Sequence, residues 1–138
     1  MSQANKTLIR NSFDVINKKD HSALKKLLHP TLRDTFVDVA TRAHAAFPDL
    51  KIVIDDVITE GDKTCTRWHF DGTHKGKARH SRLGDVKPTG KKVTVTGITI
   101  HRIENGVIVE SWGATDKLEA LEQLGLVSDF AKAVGGKP

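Results

Sequence analysis

ITIHRIENGVIVESWGATDKLEALEQLG, residues 98–125, is the stretch whose reading decides the fold. It alternates apolar and polar residues up to Asn105-Gly106, alternates again to Asp116, and then changes to a helical spacing. Asn-Gly between two alternating runs marks a two-residue hairpin turn, because both turn residues take φ > 0. Counted back from the turn, an unbroken register pairs Glu104 with Val107, Ile103 with Ile108, His101 with Glu110 and Thr99 with Trp112. Opposed residues point to the same face. His101, Glu110 and Trp112 are therefore expected to form a polar floor, joined by Asp116 if the register continues. Gly113 bears on that last step. A glycine in mid-strand often marks a bulge, and a bulge there reverses the facing of Asp116 relative to Trp112.

Working outward, LKIVIDDVITE (50–60) reads as one strand, Gly61-Asp62 as a tight turn and KTCTRWHFDGTHKG (63–76) as the return strand. KKVTVTGITIHRI (91–103) and VIVESWGATD (107–116) complete four strands, and a helix follows from Lys117 to Leu124. The Gly61-Asp62 turn pairs Asp56 with Arg67 and Ile54 with His69. On a concave face, Arg67 could form a buried ion pair with Glu110. On the convex face it would belong to an interface between copies. Upstream, Leu8, Ile9, Phe13, Val15 and Ile16 give residues 3–18 a helical stripe. Asp20 caps a short second helix that Pro30 ends, and a third helix over 33–46 stops at Pro48. Residues 75–90 are a basic loop punctuated by Gly and Pro, and 127–134 is weakly helical. Helices first and antiparallel strands afterwards predict one α+β domain over 1–138. Its curved antiparallel sheet wraps around the N-terminal helices as a cone with an internal pocket.

The net charge of +5 is concentrated in Lys75, Lys77, Arg79, Arg82, Lys87, Lys91 and Lys92. That segment has no aromatic residue for base stacking, so nucleic acid is not the expected partner. A solvated loop or recruitment of an anionic small substrate are the readings left. No apolar run is long enough to span a bilayer, and MSQANKTLIRNSF lacks the apolar stretch of a secretory signal. The single Cys65 cannot form an internal disulfide, so a reducing cytoplasm is expected. Neither a phosphate-binding glycine loop nor a nucleophile elbow is present, and no His/Cys/carboxylate spacing suits a metal.

The segments GTHKG (72–76), PTGKKVTVTGITIHRIENGVIVESW (88–112) and Asp116 with EQLG (122–125) resemble the SnoaL-like proteins of the nuclear transport factor 2-like superfamily. With the three N-terminal helices in order, the resemblance spans nearly the whole chain. It implies a pocket between the helices and the concave face of the sheet, no metal or other cofactor, and homodimers formed through the sheets. The best understood members are polyketide cyclases, which close a ring by intramolecular aldol condensation with a pocket aspartate as acid/base. Aligned from both ends, that aspartate falls at Gly113, and Asp116 matches a second aspartate nearer the helix. The cyclase histidine falls near Thr99 rather than His101. The resemblance also favours an inward-facing Arg67.

Each candidate residue has a structural alternative. Asp116 can cap the helix from Lys117, which holds its pKa low, or it can serve as a general base, for which burial would raise it. His101 beside Glu110 would titrate near neutrality, or simply close the cone's end as a polar pair. Six strand steps separate Glu110 from Asp116, ~20 Å if straight, so His101 and Asp116 would act at two ends of one ligand. Trp112 and His69 would line the pocket, with the indole suited to a flat ligand. His74 is expected to order the loop after it, and His80 with Arg79 and Arg82 offers a lid. Asp116 and His101 are thus the expected catalytic residues, with Arg67, Glu110, Trp112 and His69 holding substrate. The expected function is cofactor-free acid/base chemistry (aldol cyclase, isomerase, dehydratase or hydrolase) on a hydrophobic carbonyl or polyketide-like molecule. The alternative is a non-catalytic ligand-binding or dimeric interaction module, which the glycine at 113 favours.

Overall fold

The computed structural model describes residues 2–80 and 84–127, so the weak helix expected at 127–134 lies outside it save for Val127. Helix α1 (Ser2–Asn17) buries Ile9 and Phe13, four residues apart on one stripe. Asp20 caps α2 (His21–Lys26), its carboxylate accepting from Ala23 N at 3.0 Å. Pro30 does more than end that helix. It opens α3 (Pro30–Ala46), because a first-turn residue needs no N–H donor. Four strands follow as a sheet ordered β1 (Lys51–Glu60), β2 (Lys63–Thr73), β5 (Lys92–Glu104) and β6 (Val107–Thr115), all antiparallel. The basic loop holds a small hairpin that the sequence reading missed, β3 (Ala78–His80) with β4 (Gly84–Val86). The chain closes the described part with α4 (Lys117–Gln123). This is the expected α+β architecture, helices followed by a curved antiparallel sheet.

The core joins α1 and α2 to the closed end of the β5–β6 hairpin, through Ile9, Phe13, Leu24, Leu28, Ile103 and Ile108. The link between α2 and α3 runs beside β6, where His29 N donates to Ile108 O (2.8 Å) and Ile108 N to Leu27 O (2.9 Å). At the other end of β5, beyond the reach of β6, Gln123 takes the place of a strand. Its amide accepts from Thr94 N (2.7 Å) and donates to Thr94 O (2.8 Å), fixing α4 to the sheet edge.

Two bulges reset the expected registers. The β5–β6 pairing runs Glu104–Val107 and Ile103–Ile108 as expected, then shifts by one at Val109, giving Arg102–Glu110, His101–Ser111, Ile100–Trp112 and Thr99–Gly113. In the β1–β2 pair Asp56 lies opposite Arg67 as expected. A bulge at Asp55 then puts Ile54 opposite Trp68 and Val53 opposite His69. The bulge considered at Gly113 does not occur.

The basic loop is tied at its base. His74 is fully buried; its N–H donates to Lys91 O (2.9 Å), its carbonyl accepts from Gly90 N (2.9 Å), and its Nδ1 accepts from Thr89 N (3.2 Å). Gly76 touches backbone: its N–H donates to Ala46 O at 3.1 Å, and any Cβ there would collide with Ala45 O.

Candidate functional site

With these registers the concave face carries Thr64, Thr66, Trp68 and Phe70 on β2, Gly97, Thr99 and His101 on β5, and Ser111, Gly113 and Thr115 on β6. Trp68 lies flat over Gly97, where a Cβ would come within 2.3 Å of the indole. Only glycine allows that approach. The indole Nε1–H donates to Thr99 Oγ1 at 2.9 Å, and the ring stacks on Phe70 (6.4 Å), which in turn meets Phe47, the residue that ends α3 (5.3 Å). The deep end is sealed: Thr64 and Thr66 are fully buried and His101 is 4% exposed. His101 Nδ1 and Thr66 Oγ1 have no hydrogen-bond partner among the described residues. Burial pushes the His101 imidazole down to about 4, so it is uncharged at neutral pH. Towards β6 the face opens, with Ser111 half-buried and Gly113 and Thr115 exposed. A Cβ on Gly113 would meet Thr99 Oγ1 at 3.3 Å, a tight contact that admits a side chain only if Thr99 gives way by a few tenths of an ångström. The sheet residues of this face include no carboxylate.

The expected site residues do not converge. The Val109 bulge gives Glu110 to Arg102, whose Nε donates to it at 2.9 Å, and leaves His101 opposite Ser111. The same shift turns Trp112 to the convex face, 49% exposed, with Lys63 Nζ 5.8 Å from its ring. Arg67 also faces outward, its Nη1 3.9 Å from Asp55, so the inward placement and the Arg67–Glu110 pair are corrected. His69 is convex too. Its Nδ1 lies 2.8 Å from Asp55 Oδ2, and that hydrogen bond raises the imidazole pKa. Asp71, 3.5 Å from His69 Nε2, accepts from Thr94 Oγ1 at 2.6 Å. Asp116 is exposed and caps α4, accepting from Glu119 N at 3.0 Å, and its carboxylate raises the Glu119 carboxyl pKa through a side-chain hydrogen bond. The capping alternative therefore describes its geometry. The side chains of Arg79, His80 and Arg82 lie outside the described residues. Sequence reasoning missed Trp68, Thr99 and Ser111; the available signal was Gly97, a mid-strand glycine opposite Trp68. Among the described residues no group of three or more His, Cys, Asp or Glu could hold a metal ion. No described helix is long and apolar enough to cross a membrane.

The family model of SnoaL-like polyketide cyclases matches residues 7–124. The chain belongs to this family. Solved structures similar to this SnoaL-like chain include TsrD from Streptomyces laurentii, 26% identical, with TM-score 0.82 over 91% of this chain and 98% of TsrD. AclR from Streptomyces galilaeus, a proposed hydroxylase, is 25% identical with TM-score 0.81, covering 97% of this chain and 88% of its own. IdmH from Streptomyces antibioticus, a proposed polyketide cyclase, is 27% identical with TM-score 0.75, covering 88% and 98%. No curated protein matches. The resemblance read from the hairpin and from EQLG thus gives the right family and the right fold.

Proposed function

We propose that this SnoaL-like protein binds a small hydrophobic or polycyclic carbonyl compound in the open part of the concave face, against Trp68 and Thr99, without acting as an aldol cyclase. The observation that carries this reading is the pair Thr99–Gly113, cross-strand neighbours where the cyclase histidine and aspartate are expected. A hydroxyl and a hydrogen atom occupy those places, so the carboxylate needed to take an α-proton is missing from the sheet's inner wall. His101 is a poor substitute. A group with a pKa of about 4 is always unprotonated at neutral pH but is a weak base, and its ring is sealed from the groove. The relatives' descriptions diverge between cyclase and hydroxylase, which fits a fold whose pocket is reused with different chemistry.

Trp112→Phe leaves Trp68 as the sole tryptophan and so makes it a reporter. Titration with 1,8-dihydroxyanthraquinone should quench Trp68 saturably, and the probe should be recovered unchanged. Quenching that survives only in Trp68→Phe would place the ligand on the convex face and refute the groove. Gly113→Asp should add a carboxylate beside Thr99 and is the variant in which aldol chemistry would first appear.

The convex face supports the homodimer. Ile58, Ile98, Ile100 and Trp112 are 62%, 48%, 38% and 49% exposed, with Ile58 on β1 joined to Ile100 on β5 across Cys65 of β2, an apolar patch of the kind that marks an interface. A second copy covering it accounts for the patch, and Ile100→Asp should give a monomer by sedimentation. The half-buried free Cys65 agrees with a cytoplasmic location.

A further inference from the structure

At the C-terminal end of α3 the structure has a cleft of ≈ 430 Å³, within the size range of small-molecule sites. Its floor is apolar: Val39, Ala43 and Phe47, with Val39 54% exposed. Its rim is cationic, built from segments far apart in the chain: Arg42 on α3, Lys77 before β3, and Lys117 opening α4. Two devices put the cations there. The backbone contact of Gly76 with Ala45 and Ala46 presses Lys77 against α3. The Gln123–Thr94 pair fixes α4, and with it Lys117, at the sheet edge. Asp38 pairs with Arg42 (3.0 Å) and Asp85 with Lys77 (2.9 Å), while Lys117 has no ion pair among the described residues. The rim therefore keeps an unmatched positive charge above an apolar floor. A chain of ring contacts links this floor to the groove: Phe47 meets Phe70, and Phe70 stacks on Trp68.

We propose that this cleft binds an amphipathic organic anion, an apolar ring or chain bearing one acidic group, as the entry to the groove; the idea rests on the small-molecule reading above. A wholly apolar ligand would leave the rim unused, and a polyanion would find too little charge and no polar floor.

The test uses 8-anilinonaphthalene-1-sulfonate, which brightens when its rings leave water, and N-phenyl-1-naphthylamine, the same rings without the sulfonate. Lys117→Gln and Arg42→Gln should each weaken the sulfonate about three- to fivefold, as expected for solvent-exposed pairs, and leave the amine unchanged. Val39→Asp should weaken both probes. Lys51→Gln, the same charge change at the first residue of β1, should weaken neither. An equal loss with Lys51→Gln would reduce the effect to net charge and overturn the proposal, as would unchanged sulfonate binding in the Lys117→Gln/Arg42→Gln double variant. If the anthraquinone still quenches Trp68 while the sulfonate ignores the rim, the entry site falls and the groove stands. If neither naphthalene binds and Trp68 is not quenched, both fall.

Discussion

His101→Asn measures how completely the floor of the groove is sealed. In the folded chain the ring is 4% exposed, opposite Thr64 on one side and Ser111 on the other, and burial lowers its pKa from 6.5 to about 4. The unfolded chain binds a proton on this ring below the ordinary value, and the folded chain binds one only below the depressed value. The stabilising effect of a neutral His101 is thus complete above pH 6.5 and is lost as pH falls towards 4. Each pKa unit is worth ~1.4 kcal/mol, so the loss amounts to about 3 kcal/mol across that window, an order-of-magnitude figure. Urea midpoints measured from pH 7.5 down to 4.5 should fall steeply for the native sequence and less for His101→Asn, the two curves differing by about 2–3 kcal/mol in slope-integrated stability. The other histidines cancel in the comparison. Burial lowers the His74 pKa, with the same sign as His101, and the Asp55 hydrogen bond raises that of His69, with the opposite sign. Parallel curves for the two proteins would refute the reasoning, because they would mean that water reaches the ring.

Three further substitutions probe the frame of the site. Gly97→Ala should drive Trp68 off the sheet at a cost of about 1–3 kcal/mol in urea unfolding, and far less in a Trp68→Phe background, where the outer indole ring is gone. Asp116→Ala should cost about 1 kcal/mol while Asp116→Asn stays close to neutral, since asparagine caps a helix as well as aspartate. A large loss of stability with Asn would mean that the charge itself matters. Gln123→Ala removes two bonds to the Thr94 backbone, each worth about 0.5–1.5 kcal/mol, and should speed exchange of the Thr94 amide hydrogen.

The elements were legible because their signals are local and periodic: the stripe of α1, the caps at Asp20 and Asp116, and the Asn105-Gly106 turn, whose residues take φ of 51° and 76°. The site was not, because facing depends on strict counting, and one extra residue moves every later side chain to the other face. Each bulge does leave a trace, a doubled residue type. Ile108-Val109 are both apolar and Asp55-Asp56 both acidic, breaks in the alternation that unbroken counting from the turns passed over. The mid-strand glycine suspected of a bulge instead pairs regularly with Thr99, while Gly97 marks where the indole lies down. His74 was read as a loop-ordering residue, and its hydrogen bonds do that.

Those bonds have a consequence for the evolution and engineering of the fold. Because His74 ties the start of the loop to Thr89, Gly90 and Lys91, residues 75–90 leave the sheet and return to it at nearly the same point. The segment is a cassette with both feet fastened to one peg. Lengthening it twofold adds only about 0.6 kcal/mol of closure entropy and disturbs none of the four strands of the main sheet. The chemistry of the mouth can therefore be exchanged, by nature or by grafting, while the scaffold beneath it stays as it is.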